Sequence, residues 1–139
     1  MATSTLIRVP TNPKRVKSIL EQAQARMDLT ALMDAKEHAT FITEAYYEVI
    51  KELATALLLL DGYKSPDHVG LLRYLSFNRI LKKKHITVLD ELRQVRHRIT
   101  YEGFAVKPDY LERKGPLAKA IIAELKDILN AKLSGQAGQ

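Results

Sequence analysis

Apolar residues recur along most of the chain at the three- and four-residue steps of a helix, and nowhere do they alternate with polar ones for long enough to make a strand. The clearest register is Ile42, Tyr46, Val49, Leu53, Ala56 and Leu60, which keeps one face apolar for about five turns. Asp34 and Glu37 have the spacing of a capping box, so this helix is predicted to start near Asp34, with Gly62 ending it. Before it, Val16, Ile19, Leu20, Ala23 and Met27 predict a helix capped by Asn12, with Pro13 in the first position. After it, Ser65 and Pro66 open a short helix carrying Leu71, Leu72 and Leu75. Thr87 or Asp90 opens a fourth, which runs to Tyr101 ahead of Gly103. A last helix, starting near Pro116, carries Leu117, Ile121, Leu125, Ile128 and Leu129. The stretch from Phe104 to Tyr110 lies in the longest connection and is expected to fold over the charged stripe of the fourth helix as a partial lid, with Pro108 and Asp109 starting a brief turn.

Long helices on short connections pack as antiparallel neighbours, so the chain reads as all-α, an up-and-down bundle of four or five helices over residues 12–134. A loose arm, 1–11, precedes the bundle and a flexible tail, 135–139, follows it. With 139 residues there is room for one domain. The balance of 22 Lys and Arg against 16 Asp and Glu gives +6, which draws anionic partners. The chain has no cysteine, which excludes disulfides and thiolate metal sites and fits a reducing, cytoplasmic location. "ATALLLL", residues 54–60, is well short of the ~20 apolar residues a membrane span needs, so no membrane association is expected.

His38, His68, His85 and His97 never fall four apart on one helical face, and there is no glycine-rich phosphate loop, so neither a metal nor a cofactor is expected. His68 reads as a turn-packing or capping residue. Lys82, Lys83 and Lys84 with Arg79 form the densest basic cluster, but no aromatic residue interleaves with it as a base-stacking platform requires.

The chemistry concentrates in "ELRQVRHRITYEG", residues 91–103. At about 100° per residue, Val88, Leu89, Leu92, Val95 and Ile99 share the core sector. Arg96, Thr100, Arg93 and His97 follow one another outward from its edge, and Glu91, Gln94 and Arg98 face solvent. Two readings stand side by side. An arginine at the rim of an apolar face covers hydrophobic surface with its stem; alternatively, Arg93, Arg96, His97 and Thr100 line a groove of fixed donors for phosphate or carboxylate.

The segment "LRQVRHRITYEG" resembles the signature of the HEPN superfamily, in which an arginine, usually followed by Asn, precedes a histidine by about five residues on a late helix of a bundle. Arg96 falls on the arginine, and the layout of helices over roughly 14–134 is similar. The resemblance implies a homodimer with the signature helices facing each other across a groove. It also implies an association with RNA or nucleotides, often in toxin–antitoxin systems, with a metal-independent endoribonuclease site in active members. Arg93, Arg96, His97, Thr100 and Tyr101 would line that groove, with Arg96, His97 and Tyr101 the candidates for catalysis. His97 stands where Asn is usual, and Tyr101 where the histidine is expected. A histidine ordinarily titrates near neutrality and a tyrosine near about 10, so a tyrosine is the poorer proton-transfer group. The expectation is therefore binding of RNA or a nucleotide-like anion without full ribonuclease activity. The alternatives are a ribonuclease, or an interaction module paired with a nucleotidyltransferase-like protein partner.

Overall fold

The computed structural model describes residues 6–137. Five helices lie among them: α1 (Pro13–Thr30), α2 (Ala39–Leu60), α3 (His68–Phe77), α4 (Lys83–Glu102) and α5 (Pro108–Ala137). Arg26 pairs with Glu52, and Val9 N–H donates to Gly62 O at 2.9 Å, so α1 runs antiparallel to α2. His85 meets Glu124 and Glu91 meets Lys114, so α4 and α5 are also antiparallel. The four long helices thus run up, down, up, down, with α3 as a short crosspiece between α2 and α4.

The class is helical, with one addition. Ile7–Arg8 (β1) pairs antiparallel with Tyr63–Lys64 (β2), Ile7 opposite Lys64 and Arg8 opposite Tyr63. The segment read as a loose arm is therefore tied down at these residues, and residues 1–5 of that arm lie outside the described ones. Strands two residues long carry no alternation to detect. Gly62 serves both elements: its φ of +86° ends α2 in the left-handed region, and a Cβ there would sit 3.4 Å from Val9 O.

The centre of the molecule is α2. Along its second half Leu53, Ala54, Ala56, Leu57, Leu58, Leu59 and Leu60 are all buried, because α1, α3, α4 and α5 each pack against this helix. A helix apolar on every side belongs in the middle of a bundle. Val16 from α1, Leu75 from α3, Leu92 from α4 and Ile121, Leu125 and Leu129 from α5 complete the fully buried layer.

Helix starts depart most from expectation. Asp34 does cap, but it caps an isolated turn: its Oδ1 accepts from Lys36 N–H at 2.7 Å and Glu37 N–H at 3.3 Å. The helix itself begins at Ala39 behind His38. In α3 the cap is Asp67, accepting from Gly70 N–H at 2.7 Å, while Ser65 only bonds locally to Asp67. Neither Thr87 nor Asp90 opens α4, which starts at Lys83; buried His85 anchors its first turn through Glu124 Oε1 at 2.8 Å. Pro108, with Asp109 in the first turn, opens α5, and Pro116 sits inside it. The connection from α4 shrinks to residues 103–107. Val106 N–H donates to Thr40 Oγ1 at 2.9 Å, which ties this loop to the start of α2. The helix also continues through 135–137, where a flexible tail was expected, and residues 138–139 lie outside the described ones. Among the described residues no helix is long and apolar enough to cross a membrane.

Leu53 has no solvent exposure and lies at the middle of this core. Leu53→Ala is expected to lower stability by roughly 2–5 kcal/mol, measured as a shift of the urea midpoint at unchanged slope.

Candidate functional site

The fourth helix carries the faces its spacing implies. Leu89 and Leu92 are buried, and Val88, Val95 and Ile99 pack partly buried against the core. Arg93 and Arg96 sit at the rim, with side chains 30% and 29% exposed, and His97, Thr100 and Tyr101 lie outside. Gly103, at φ 65°, accepts the left-handed turn that stops the helix immediately after this stripe.

Both rim arginines already hold a carboxylate. Arg93 donates through Nε and Nη2 to Asp90 Oδ1, at 3.1 and 3.0 Å. Arg96 Nη2 donates to Glu48 Oε1 on α2 at 3.1 Å, and Lys51 Nζ lies 3.0 Å from Glu48 Oε2. The Arg96 Nε is buried and has no partner among the described residues. The stripe is thus a half-screened lattice of ion pairs, each worth on the order of 1 kcal/mol or less at such exposure, with one donor unspent. Further along, the His97 and Tyr101 rings contact each other, with centroids 4.6 Å apart and planes at 45°. Tyr101 is 72% exposed.

The structure therefore brings His97 and Tyr101 together. It sets Arg96 against α2, leaves Arg93 paired within its own helix, and leaves Thr100 exposed. The basic run Lys82–Lys84 stands at the other end of α4, about 27 Å from Tyr101 at 1.5 Å per residue, and takes no part in the stripe.

Spacing did not disclose the group behind the arginines. The Tyr47 hydroxyl lies 2.9 Å from His68 Nδ1. Burial pushes the Tyr47 hydroxyl up to about 12, against the opposing pull of Arg93 and Arg96, so it stays an O–H donor. Burial, followed by the charges of Lys51 and Arg96, pushes His68 down and favours the neutral ring. Tyr47 O–H therefore donates to Nδ1, and the ring proton resides on Nε2. His68 thus does more than pack a turn: as the first residue of α3, it joins α3 to α2 behind the arginine stripe. The only trace of this in one dimension is that Tyr47, Glu48 and Lys51 interrupt the apolar run of α2 on adjoining positions; the partners of Tyr47 and Glu48 on other helices lie 21 and 48 residues away.

Among the described residues no group of three or more His, Asp or Glu is placed to hold a metal ion. No family model matches this chain, and neither does any curated protein sequence.

The Tyr47–His68 bond sets a direction for the pH dependence. Because folding lowers the affinity of His68 for a proton, its contribution to stability is complete above the unfolded histidine value of about 6.5 and is lost as pH falls through the lower folded value. Thermal melts between pH 7.5 and 5 are expected to show a steeper drop for the parent protein than for His68→Gln, which keeps an acceptor for Tyr47 but does not titrate. Parallel curves would remove His68 from this role.

Proposed function

We propose that the chain is a HEPN-like helical bundle that binds single-stranded RNA, or a nucleotide-like anion, along the α4 stripe of a homodimer. The observation that carries this reading is the exposed Tyr101 ring, tilted against His97 and lying five and eight residues beyond Arg96 and Arg93. Aromatic rings presented beside cations are how sequence-tolerant single-strand binders hold bases and backbone together. The likeness of residues 92–103 to the HEPN signature supports it.

The polarity of α4 orients the ligand. The C-terminal end of a helix repels anions, so the base stacks at Tyr101 while the phosphate sits further back, at Arg93 and Arg96. Arg96 and Tyr101 are five residues apart, about 7.5 Å along the axis, a span comparable with one nucleotide of extended strand. Because both arginines are partly neutralised by Asp90 and Glu48, phosphate competes with carboxylates the protein already holds. That favours reversible binding, and we place catalysis by Arg96, His97 and Tyr101 outside the proposal.

One observation favours a second reading, a protein-interaction module with a partner such as a nucleotidyltransferase-like protein. Leu29, Leu32 and Phe41 are exposed at 66%, 84% and 64%, near the α1–α2 turn. Apolar residues of this size left open on one end of a bundle are suited to a partner surface.

Two measurements test the first reading. Sedimentation at micromolar concentration is expected to report twice the protomer mass, and a monomer at those concentrations removes the shared groove. In fluorescence anisotropy with a short single-stranded RNA, Tyr101→Ala is expected to weaken binding by roughly 5- to 150-fold, the cost of one lost base–aromatic stack, without moving the melting midpoint. Lys17→Ala, an exposed cation on α1, should cost only a small fraction that salt abolishes. Equal losses from the two variants reduce the stripe to general positive charge, and no retention of RNA by the parent leaves the interaction module standing.

A further inference from the structure

The face of α4 that spacing assigns to solvent is one wall of a cleft. Between Gln94 and Arg98 on α4, the loop at Phe104 and the first turns of α5 lies a hollow of about 450 Å3, within the range of small-molecule sites. Its chemistry differs from that of the arginine stripe on the other side of the helix, and nothing said about RNA bears on it.

Three features converge there. The Arg98 guanidinium carbon lies 3.9 Å from the centre of the Phe104 ring. Stacked in this way, a guanidinium is held in place and keeps the edge of its fork for a planar oxyanion. Its nearest carboxylate, Glu102, stands 3.7 Å from Nε, beyond hydrogen-bond reach. Charge is the second feature: Arg98, Lys107 and Arg113 line the cleft together with Glu91 and Asp109, and Glu91 is already taken by Lys114 Nζ at 3.0 Å. The third is the apolar part of the lining, Val95, Phe104 and Val106; Tyr110 also lines the cleft, but its hydroxyl is closed to solvent.

We propose that this cleft binds a small organic monocarboxylate with a flat apolar body. Arg98 takes the carboxylate, and Phe104, Val95 and Val106 enclose the body. A modest excess of positive charge matches one negative charge better than two. The two carboxylates on the walls turn away a polyanion such as RNA, and the apolar residues leave inorganic phosphate with nothing to bury.

The test is a titration of the full chain followed by amide chemical shifts, with benzoate as probe, benzamide as its uncharged counterpart and acetate as the charge without the body. Benzoate is expected to shift the amides of Arg98, Phe104 and Tyr110 saturably, with a Kd on the order of millimolar for so few atoms. Benzamide and acetate should each bind at least about tenfold more weakly. Arg98→Ala should weaken benzoate by about tenfold, the usual loss for a hydrogen bond to a charged group. If Arg98→Ala lowers the melting midpoint, Lys107→Ala, on an exposed position, replaces it, with a smaller loss expected. The proposal is overturned if benzoate gives no saturable shift up to about 50 mM, if benzamide binds as well as benzoate, or if the cation variants leave benzoate binding unchanged.

Discussion

Everything else in this molecule depends on burying α2 from all sides. Once Leu53 to Leu60 are enclosed, with Thr55 as the exposed exception, the neighbouring helices have little freedom in where they lie. The polar residues that α2 retains must then sit in the seams between those neighbours. Several are met there by a side chain from another element. Glu52 meets Arg26 of α1, Glu48 meets Arg96 of α4, Tyr47 meets His68 of α3, and Asp61, just past the helix, meets Tyr74 of α3 and Lys132 of α5. None of these pairs supplies much stability at partial exposure. Leaving one member unpaired in a seam is the costlier alternative, so the pairs fix which face each outer helix presents. The position of the arginine stripe is a consequence of this seam chemistry as much as of the periodicity of α4.

How far sequence discloses such a structure depends on the range over which the deciding interaction acts. The start of α1 was legible because Asn12, Pro13 and the Arg15 N–H that Asn12 accepts are local. The end of α4 was legible for the same reason, since Gly103 alone supplies the left-handed residue. The start of α4 was not: a run of three lysines carries no helix-start signal, and what orders it is His85 reaching Glu124, 39 residues on. Two prolines compete for the start of α5, and only packing decides between them. Leu111 and Gly115 are buried, Gly115 close against Tyr46 of α2, so the helix gains contact by beginning at Pro108 and carrying Pro116 inside.

The candidate site divides along the same line. The order of Arg96, Thr100, Arg93 and His97 around the helix follows from the residue spacing, but exposure does not follow that order, since Thr100 is exposed and Arg93 half-buried. Which of them is engaged does not follow, because Glu48 lies on another helix. Arg98 shows the limit most clearly. The wheel places it outward, yet outward on this flank means toward Phe104 and the first turns of α5, since the connection is only five residues long and Val106 ties it to Thr40.

Arginine recurs in all these settings for one reason. At Arg93 and Arg96 the guanidinium serves a carboxylate while its stem covers apolar surface; at Arg98 it serves an aromatic face. Lysine could satisfy the charge in each case, but its ammonium is more strongly hydrated and has no planar fork to be held flat or to bind two oxygens at once. Where the chain needs charge without geometry, as in the solvated run Lys82 to Lys84, it uses lysine. The two flanks of α4 therefore differ in what already occupies their cations. On the stripe, carboxylates do, so an incoming anion must displace or share an existing partner. In the cleft, a ring does, with the Glu102 carboxylate 3.7 Å from Arg98 Nε and outside hydrogen-bond reach, so the edge of the guanidinium carries no hydrogen bond. A ligand anion of the same charge consequently meets less competition at Arg98 than at Arg96, although Arg96 is the residue that periodicity singles out.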